Sequence, residues 1–463
     1  MTDSDLSLWW QASEEDEVLA PISSHHHVSV VLINKNGEVW QPDTLRGIGS
    51  QSRRPDFFAA VDCASKDDSR AGLLSLFEVQ DSPAGLSLGE VLNNAIAALP
   101  EHPELIEWVW ILHDDSAPYA HALAELLRAA DANPQAAVFG AKLVDWKNPN
   151  HVLEIGSKIT GIGTRFTGLE VGERDQGQHD DIERALVVNS AGMLIRRDVW
   201  KSLGGFTTHL PHFRVDAEFC LRVWESGNEV LAVPRSRIRH VAATARSIRK
   251  PAKEKGTTQY LDRRAGMQLV LSRSPRKLLW LRLVMMLLSA IGRGAGYLLL
   301  QDLAGARDEW RAALSLFFSP LPAQRLHAAK GEVPIPAELK PTFKEQAQHL
   351  VVETGNGIAN TWNQVLEFLF PNREFVSDVG RAEAFRAVLR RPGTLLTLIA
   401  LSVGSFLTIP NIQGSQLVTN AGVIPTSANL LWTEFLSDWH AVGIGSYDSA
   451  HPMQALLAML SVL

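Results

Sequence analysis

The stretch Trp110-Ile111-Leu112-His113-Asp114-Asp115-Ser116 sets an apolar run directly against two adjacent carboxylates, and Ala117-Pro118 turns the chain at once. A buried parallel strand ending this way delivers acidic side chains to the carboxyl edge of an open α/β sheet, where such folds bind ligands. Paired carboxylates there suit a hard divalent cation, because Mg²⁺ takes few protein ligands and completes its shell with water and phosphate oxygens. An isolated Asp-Asp reads as readily as a solvated acidic turn, so the surrounding sequence has to decide.

Upstream, His27–Ile33 reads as a buried strand running into the turn Asn34-Lys35-Asn36-Gly37, and Trp40–Ile48 is helical. Phe57–Val61 is a second strand, ending in the polar loop Asp62–Ser69, and Asn93–Leu99 is helical. Downstream come a helix over Ala120–Asp131, a strand over Ala137–Leu143 and a Gly-rich section from Asp145 to Asp181. Leu186–Asn189 leads into Ser190–Ile195; a short helix at Asp198–Leu203 and Gly204-Gly205-Phe206 follow. The spacing from Asp216 to Ser226 is helical, with a strand at Val230–Val233 after it and then Ile238–Val241. Alternation of this kind predicts βαβ units and a parallel sheet. Asp216 falls at a helix N-terminus, where free amides and the dipole stabilise a carboxylate and the preceding loop turns it toward a cleft.

The chain of 463 residues is long enough for two or three domains. Its net charge of −7 gives no global basic field, so nucleic acid is not an expected partner. The two cysteines, Cys63 and Cys220, make neither a disulfide framework nor a metal-ligand spacing and fit a reducing compartment. The polar, acidic stretch Met1–Glu17 carries no basic or apolar region of a signal peptide, so the expected location of the catalytic portion is the cytoplasm. The adjacent His25, His26 and His27 cannot all face one ion from an extended segment.

In their order and spacing these pieces resemble a family 2 glycosyltransferase with the GT-A fold, over residues 27–270. The resemblance rests on Asn34-Lys35-Asn36-Gly37 after the first strand and on Asp62–Ser69 after the second, where Cys63 replaces a common Asn. It rests further on Asp114-Asp115 and on the Gly204–Arg222 block. Val215 stands where the family commonly has Glu, and Glu218 where it has a second Asp; the general-base position falls on Asp216. His240 sits where many members place a metal-completing His, though its neighbours Arg237, Arg239 and Arg246 make a surface histidine beside a basic strip an equal reading.

The resemblance implies an α/β, GT-A, mostly parallel sheet flanked by helices. It also implies inverting sugar transfer from a nucleoside diphosphate sugar with Mg²⁺ or Mn²⁺. Asp114, Asp115 and His240 would hold the cation against the leaving diphosphate. Asp216 would be general base, and Asn36, Asp62 and Asp114 would contact the nucleotide. The basic run Arg235–Lys255 suits either a loop closing on diphosphate or contact with anionic lipid. Gln259, Arg263 and Arg264 loosely resemble the Gln-x-x-Arg element of processive members, without its Trp.

Leu278–Leu300 is long enough to span a bilayer, which needs about 20 residues, but carries Arg282, Arg293 and a Gly292-x-Gly294-x-Gly296 break. Thr394–Pro410 is uncharged, with Arg386, Arg390 and Arg391 before it and no Lys or Arg after it. The positive-inside rule then puts 302–393 in the cytoplasm and 411–452 outside, so Leu278–Leu300 is expected to lie in-plane or re-entrant. The expected plan is a tail (1–26), the GT-A domain (27–270), an interfacial helical region (271–393) and a span, an extracytoplasmic segment and the start of a second span (394–463). The short apolar run Met453–Leu463, and a likeness of Trp432–Ser446 to large actinobacterial envelope glycosyltransferases, suggest a piece of a longer multi-span protein. These features predict an enzyme at the inner membrane, facing the cytoplasm, with membrane lipid and a lipid-linked or envelope glycan acceptor as partners. Val215 and Glu218 leave open a rival: a catalytically inactive sugar-nucleotide-binding module or envelope-assembly scaffold.

Overall fold

The computed structural model describes residues 21–318 except 75, 171, 181–183, 211, 247, 249–255 and 300–301, residues 331–345 except 343, and the backbone of 416–419 and 422–425. Two compact units divide the chain, Met1–Leu369 and Phe370–Leu463. The described part of the second is one antiparallel hairpin, Gln416–Thr419 with Gly422–Pro425. Residues 1–20, Thr394–Pro410 and Met453–Leu463 lie outside the described residues.

The first unit alternates strands and helices: β1 (His26–Asn34), α1 (Gln41–Gly49), β2 (Phe57–Asp62), α2 (Ser69–Leu73), β3 (Glu78–Asp81), α3 (Leu88–Ala97), β4 (Ile106–His113) and β5 (Ser116–Pro118). It continues with α4 (Ala122–Ala132), β6 (Ala136–Asp145), β7 (Val152–Glu154), β8 (Lys158–Ile159), β9 (Arg165–Phe166), β10 (Met193–Arg196), α5 (Arg197–Ser202), α6 (Val215–Glu225) and β11 (Glu229–His240). The main sheet runs β3-β2-β1-β4-β10-β6-β11-β5, with β7 beside β6. Pairs β2–β3, β1–β2, β1–β4 and β6–β11 are parallel; β10, β5 and β7 run against their neighbours. The α/β class and mostly parallel sheet expected above are therefore present.

Both faces of the central strands are covered, which is why they read as unbroken apolar runs. Val31, Val109 and Ile111 pack with Leu92, Ile96 and Phe219, while Val30, Leu32, Trp110 and Leu112 pack with Leu123, Leu126 and Leu127 on the other face. Ser87 caps α3 by accepting from the Glu90 amide, and the Glu90 carboxylate accepts from the Ser87 amide.

Leu186–Val188 is buried without being a strand; Gly192, at φ 97°, reverses the chain, and Met193–Arg196 enters the sheet antiparallel between β4 and β6. Apolar patterning reports burial there, not pairing. Val230–Val233 and Ile238–His240 belong to one strand, β11, whose register shifts between Val233 and Arg237. That irregularity absorbs Pro234, which has no amide to give a ladder.

Three helices follow: α7 (Thr258–Arg273), α8 (Leu279–Leu299) and α9 (Leu303–Phe318). The α7 backbone approaches Gly163 so closely at Gly266 that a Cβ on Gly266 would overlap the Gly163 carbonyl. Met267 and Leu271 of α7, Met286 and Ala290 of α8, and Ala312, Ala313 and Leu316 of α9 form a separate apolar cluster. Among the described residues, Leu279–Leu298 is the one helix long and apolar enough to cross a membrane. Its charges face the protein: Arg293 pairs with Glu309 at 3.1 Å, and Arg282 donates to the Gly161 carbonyl at 3.4 Å. Its outer side exposes Trp280, Leu281, Met285, Leu288 and Ile291, and α9 adds Leu303, Leu314 and Phe317.

Candidate functional site

The carboxyl ends of the parallel strands open into a cavity of about 730 Å³, whose walls include Lys35, Cys63, Asp115, Arg165, Asp216 and His240. Strand register builds it: Ile33 pairs with His113 across β1 and β4, and His240 pairs with Asp145 across β11 and β6. The ends of four strands thus converge on one edge.

Three side chains there can share a cation. Ligand atoms of His113, Asp115 and His240 all lie within 4.8 Å of one another. His240 Nε2 is 3.5 Å from Asp115 Oδ1, and the two imidazole centroids are 6.1 Å apart. His113 and Asp115 are two residues apart at a strand end, so alternation turns them to the same side. Asp114 goes the other way: fully buried, its Oδ2 accepts the Lys35 amide at 2.8 Å, and its carbonyl accepts the Thr44 hydroxyl at 3.0 Å. The expected Asp114–Asp115–His240 set is therefore brought together only as Asp115 and His240. His113 supplies the third ligand atom, and Asp114 braces the turn after β1.

Burial works against a charge on Asp115, but His240 and His113, with the Ala243 amide, more than offset it and hold the carboxyl well below the usual carboxylate range. The Ala243 amide donates to Asp115 Oδ2 at 2.8 Å, and the Val241 amide to its carbonyl at 3.0 Å. The chain beyond β11 is thereby pinned to the strand end that carries the ligand. Two imidazoles and an ionised carboxylate at this spacing fit one divalent cation. Nitrogen donors favour Mn²⁺ over Mg²⁺, which prefers oxygen throughout.

Asp216 lies in the first turn of α6 and lines the same cavity. Its Oδ1 accepts the Ala217 amide at 2.8 Å, and its Oδ2 accepts Arg165 Nη2 at 2.5 Å. Arg165, from β9, also reaches both oxygens of Glu154 at 3.2 Å, and Asn189 and Ser157 donate to that carboxylate. Desolvation disfavours the Arg165 charge, but Asp216 and Glu154 overcome this and raise its pKa above the ordinary value. Glu218, where the resemblance calls for Asp, is fully buried and pairs with Arg222 at 2.7 Å and Arg273 at 3.2 Å. That departure holds α6 to α7, away from the chemistry.

Asn36 and Asp62, the expected nucleotide contacts, lie in the loop after β1 and at the end of β2. Asn36 is exposed; its Oδ1 accepts the Lys66 amide at 2.7 Å. Asp62 is buried, with Oδ1 accepting from Asn34 at 2.7 Å and from the Ser65 hydroxyl at 2.6 Å. Both close the polar loops after β1 and β2, and neither is among the cavity-wall residues; Lys35, Cys63 and Ser82 are. Sequence reasoning passed over His113, Glu154, Arg165 and Arg214. Alternation would have found His113, but the others reach the cavity from a hairpin and a loop with no periodic signal.

The two thiols differ in setting. Burial pushes the Cys220 thiol up to about 12, whereas Cys63 is half-buried on the cavity wall. Iodoacetamide on the folded chain is expected to modify Cys63 and spare Cys220. Peptide mass spectrometry reads this, and equal modification of both would contradict the placement of Cys220.

Residues 80–260 match the family model described as Glycosyltransferase like family 2. No curated protein sequence matches the chain. Among solved structures, GalNAc-T7 with UDP, GalNAc and Mn²⁺ is similar at 16% identity and a TM-score of 0.38, covering 46% of this chain and 43% of that one. The chain thus spans less than half the length of GalNAc-T7. S. aureus TarS in its 1-349 form is similar at 12% identity and a TM-score of 0.35, covering 64% of this chain and 92% of that one. The matched residues run from β3 into the start of α7 and carry the whole His113–Asp115–His240 cluster. They are a family 2-like glycosyltransferase domain.

Proposed function

We propose, taking residues 80–260 as a family 2-like glycosyltransferase domain, that the chain moves a sugar from a nucleoside diphosphate sugar to a hydroxyl of a lipid-linked or envelope glycan, with inversion. The observation carrying this reading is that a compact His113–Asp115–His240 cluster and Asp216 border one cavity. His113, Asp115 and His240 would hold a divalent cation, which when bound neutralises charge developing on the departing diphosphate. Lys35 offers a further positive charge on the same wall.

Asp216 takes the proton of the acceptor hydroxyl as that oxygen bonds to the anomeric carbon and the bond to the diphosphate oxygen breaks. One displacement from the face opposite the leaving group inverts the centre. Arg165 orients Asp216 through their ion pair. The same contact favours the second reading, an inactive sugar-nucleotide-binding module, because both Asp216 oxygens already accept hydrogen bonds.

The test is incubation of the full chain with Mn²⁺ and a panel of nucleoside diphosphate sugars, followed by proton NMR of the released or transferred sugar. Product of opposite anomeric configuration supports the enzyme. Nucleotide binding without turnover of any donor supports the inactive module.

The outward apolar side of α8 and α9, with Arg282 and Arg293 turned inward, supports an in-plane seat on the inner membrane face for the 271–393 region. A reporter fused after Lys340 is expected to score as cytoplasmic; an extracytoplasmic score would contradict that seat. The boundaries 27–270, 271–393 and 394–463 remain part of this proposal.

A further inference from the structure

Arg214 stands two residues before Asp216, at the N-cap of the eleven-residue helix α6, with a left-handed backbone at φ 67°. Non-glycine residues held in this region cluster at ligand sites. Its side chain is 5% exposed and borders the cavity. Nη2 donates to Asp262 at 2.7 Å, but Nε and Nη1 are buried without any hydrogen-bond partner. Gln259, on α7 and bordering the same cavity, has its buried Nε2 unpartnered as well.

Buried N–H groups ordinarily find acceptors, so these three need an explanation. All three only donate. A sugar hydroxyl donates and accepts, whereas an anionic oxygen only accepts, and a guanidinium discriminates strongly for it. The carboxylates facing this corner, Asp262, Asp216 and Glu154, are already engaged with Arg214 or Arg165. The donor's diphosphate has its own candidate partners in the cation cluster and Lys35. The Arg214–Gln259 pair instead flanks the residue proposed as base, on elements separate from the ends of β1 and β4.

We propose that Arg214 and Gln259 form a phosphate subsite on the acceptor side of the cavity, so that the acceptor presents a phosphate close to the hydroxyl that receives the sugar. This rests on the glycosyltransferase reading for the word acceptor, though not for the phosphate. Two sources share the chemistry: the phosphate of a lipid carrier and a phosphate within a glycan.

The experiment titrates methyl phosphate and geranyl phosphate, with geraniol as the uncharged control, into the full chain in detergent with EDTA present to remove cations. Both phosphates are expected to bind and geraniol not to. Arg214→Asn, a residue that tolerates the left-handed backbone, should weaken both at least tenfold, and Gln259→Leu should weaken them severalfold. Geranyl phosphate binding more tightly than methyl phosphate assigns the lipid carrier; equal affinities assign a phosphate within the glycan. Absence of phosphate binding, or binding that both variants leave unchanged, overturns the subsite. Loss of Mn²⁺-dependent nucleoside diphosphate binding in Arg214→Asn would also overturn it, by giving Arg214 to the donor. Phosphate binding that depends on Arg214 in a chain with no metal-dependent nucleotide binding would leave the subsite standing and remove the glycosyltransferase reading.

Discussion

Asp115→Ala is expected to weaken Mn²⁺ binding by more than about 100-fold, as loss of a direct ligand exceeds the 10–100-fold typical of outer partners. Asp115 is the one carboxylate in the His113–Asp115–His240 cluster, and its ionised form is favoured there despite 4% exposure. Removing it leaves two imidazoles with no negative charge between them. It also orphans the Ala243 amide and so loosens the segment after β11. Asp115→Asn separates the two effects, since the amide oxygen can still accept from Ala243 while the charge is gone. Free Mn²⁺ measured by electron paramagnetic resonance should rise equally for both variants. Metal affinity retained in Asp115→Asn would contradict a charge-based role. Asp114→Ala should behave differently, perturbing the Lys35 turn and stability before it touches the metal.

The second large effect belongs to Asp216. Asp216→Asn keeps size and an oxygen able to accept from the Ala217 amide, but it cannot take a proton. General-base catalysis contributes about 10²–10⁴-fold, so transfer should fall by that factor while nucleotide affinity stays within about threefold. Single-turnover transfer and nucleotide titration on the same preparation check the split. An equal loss in both would make Asp216 structural, through its ion pair with Arg165.

The strand ending in carboxylates was legible because burial on both faces leaves Trp108–Leu112 apolar and because the sheet edge must be polar. The parallel alternation followed from the same signal. What the sequence did not disclose was which carboxylate joins the two imidazoles. The motif points to Asp114 and Asp115 together, but a period of two allows only one of them beside His113. Asp62 and Asn36 sit at the expected strand ends, yet their side chains are taken up by Asn34, Ser65 and Lys66 in closing the loops. Arg165 and Glu154 meet Asp216 across a long irregular section whose course is set by contacts such as Lys142 with Asp175 at 3.0 Å. Long-range ion pairs of this kind leave no periodic trace. The inward turn of Arg282 and Arg293 was likewise invisible, since a hydropathy reading counts charges without knowing which side of the helix faces Glu309.

The central claim is that the His113–Asp115–His240 cavity binds a nucleoside diphosphate through a divalent cation. The most direct measurement is calorimetric titration of UDP, GDP, ADP, CDP and dTDP into the full chain in detergent, with and without Mn²⁺. Tight binding of one nucleotide only when Mn²⁺ is present is the predicted result. Binding indifferent to the metal, or no binding of any nucleotide, would contradict the account.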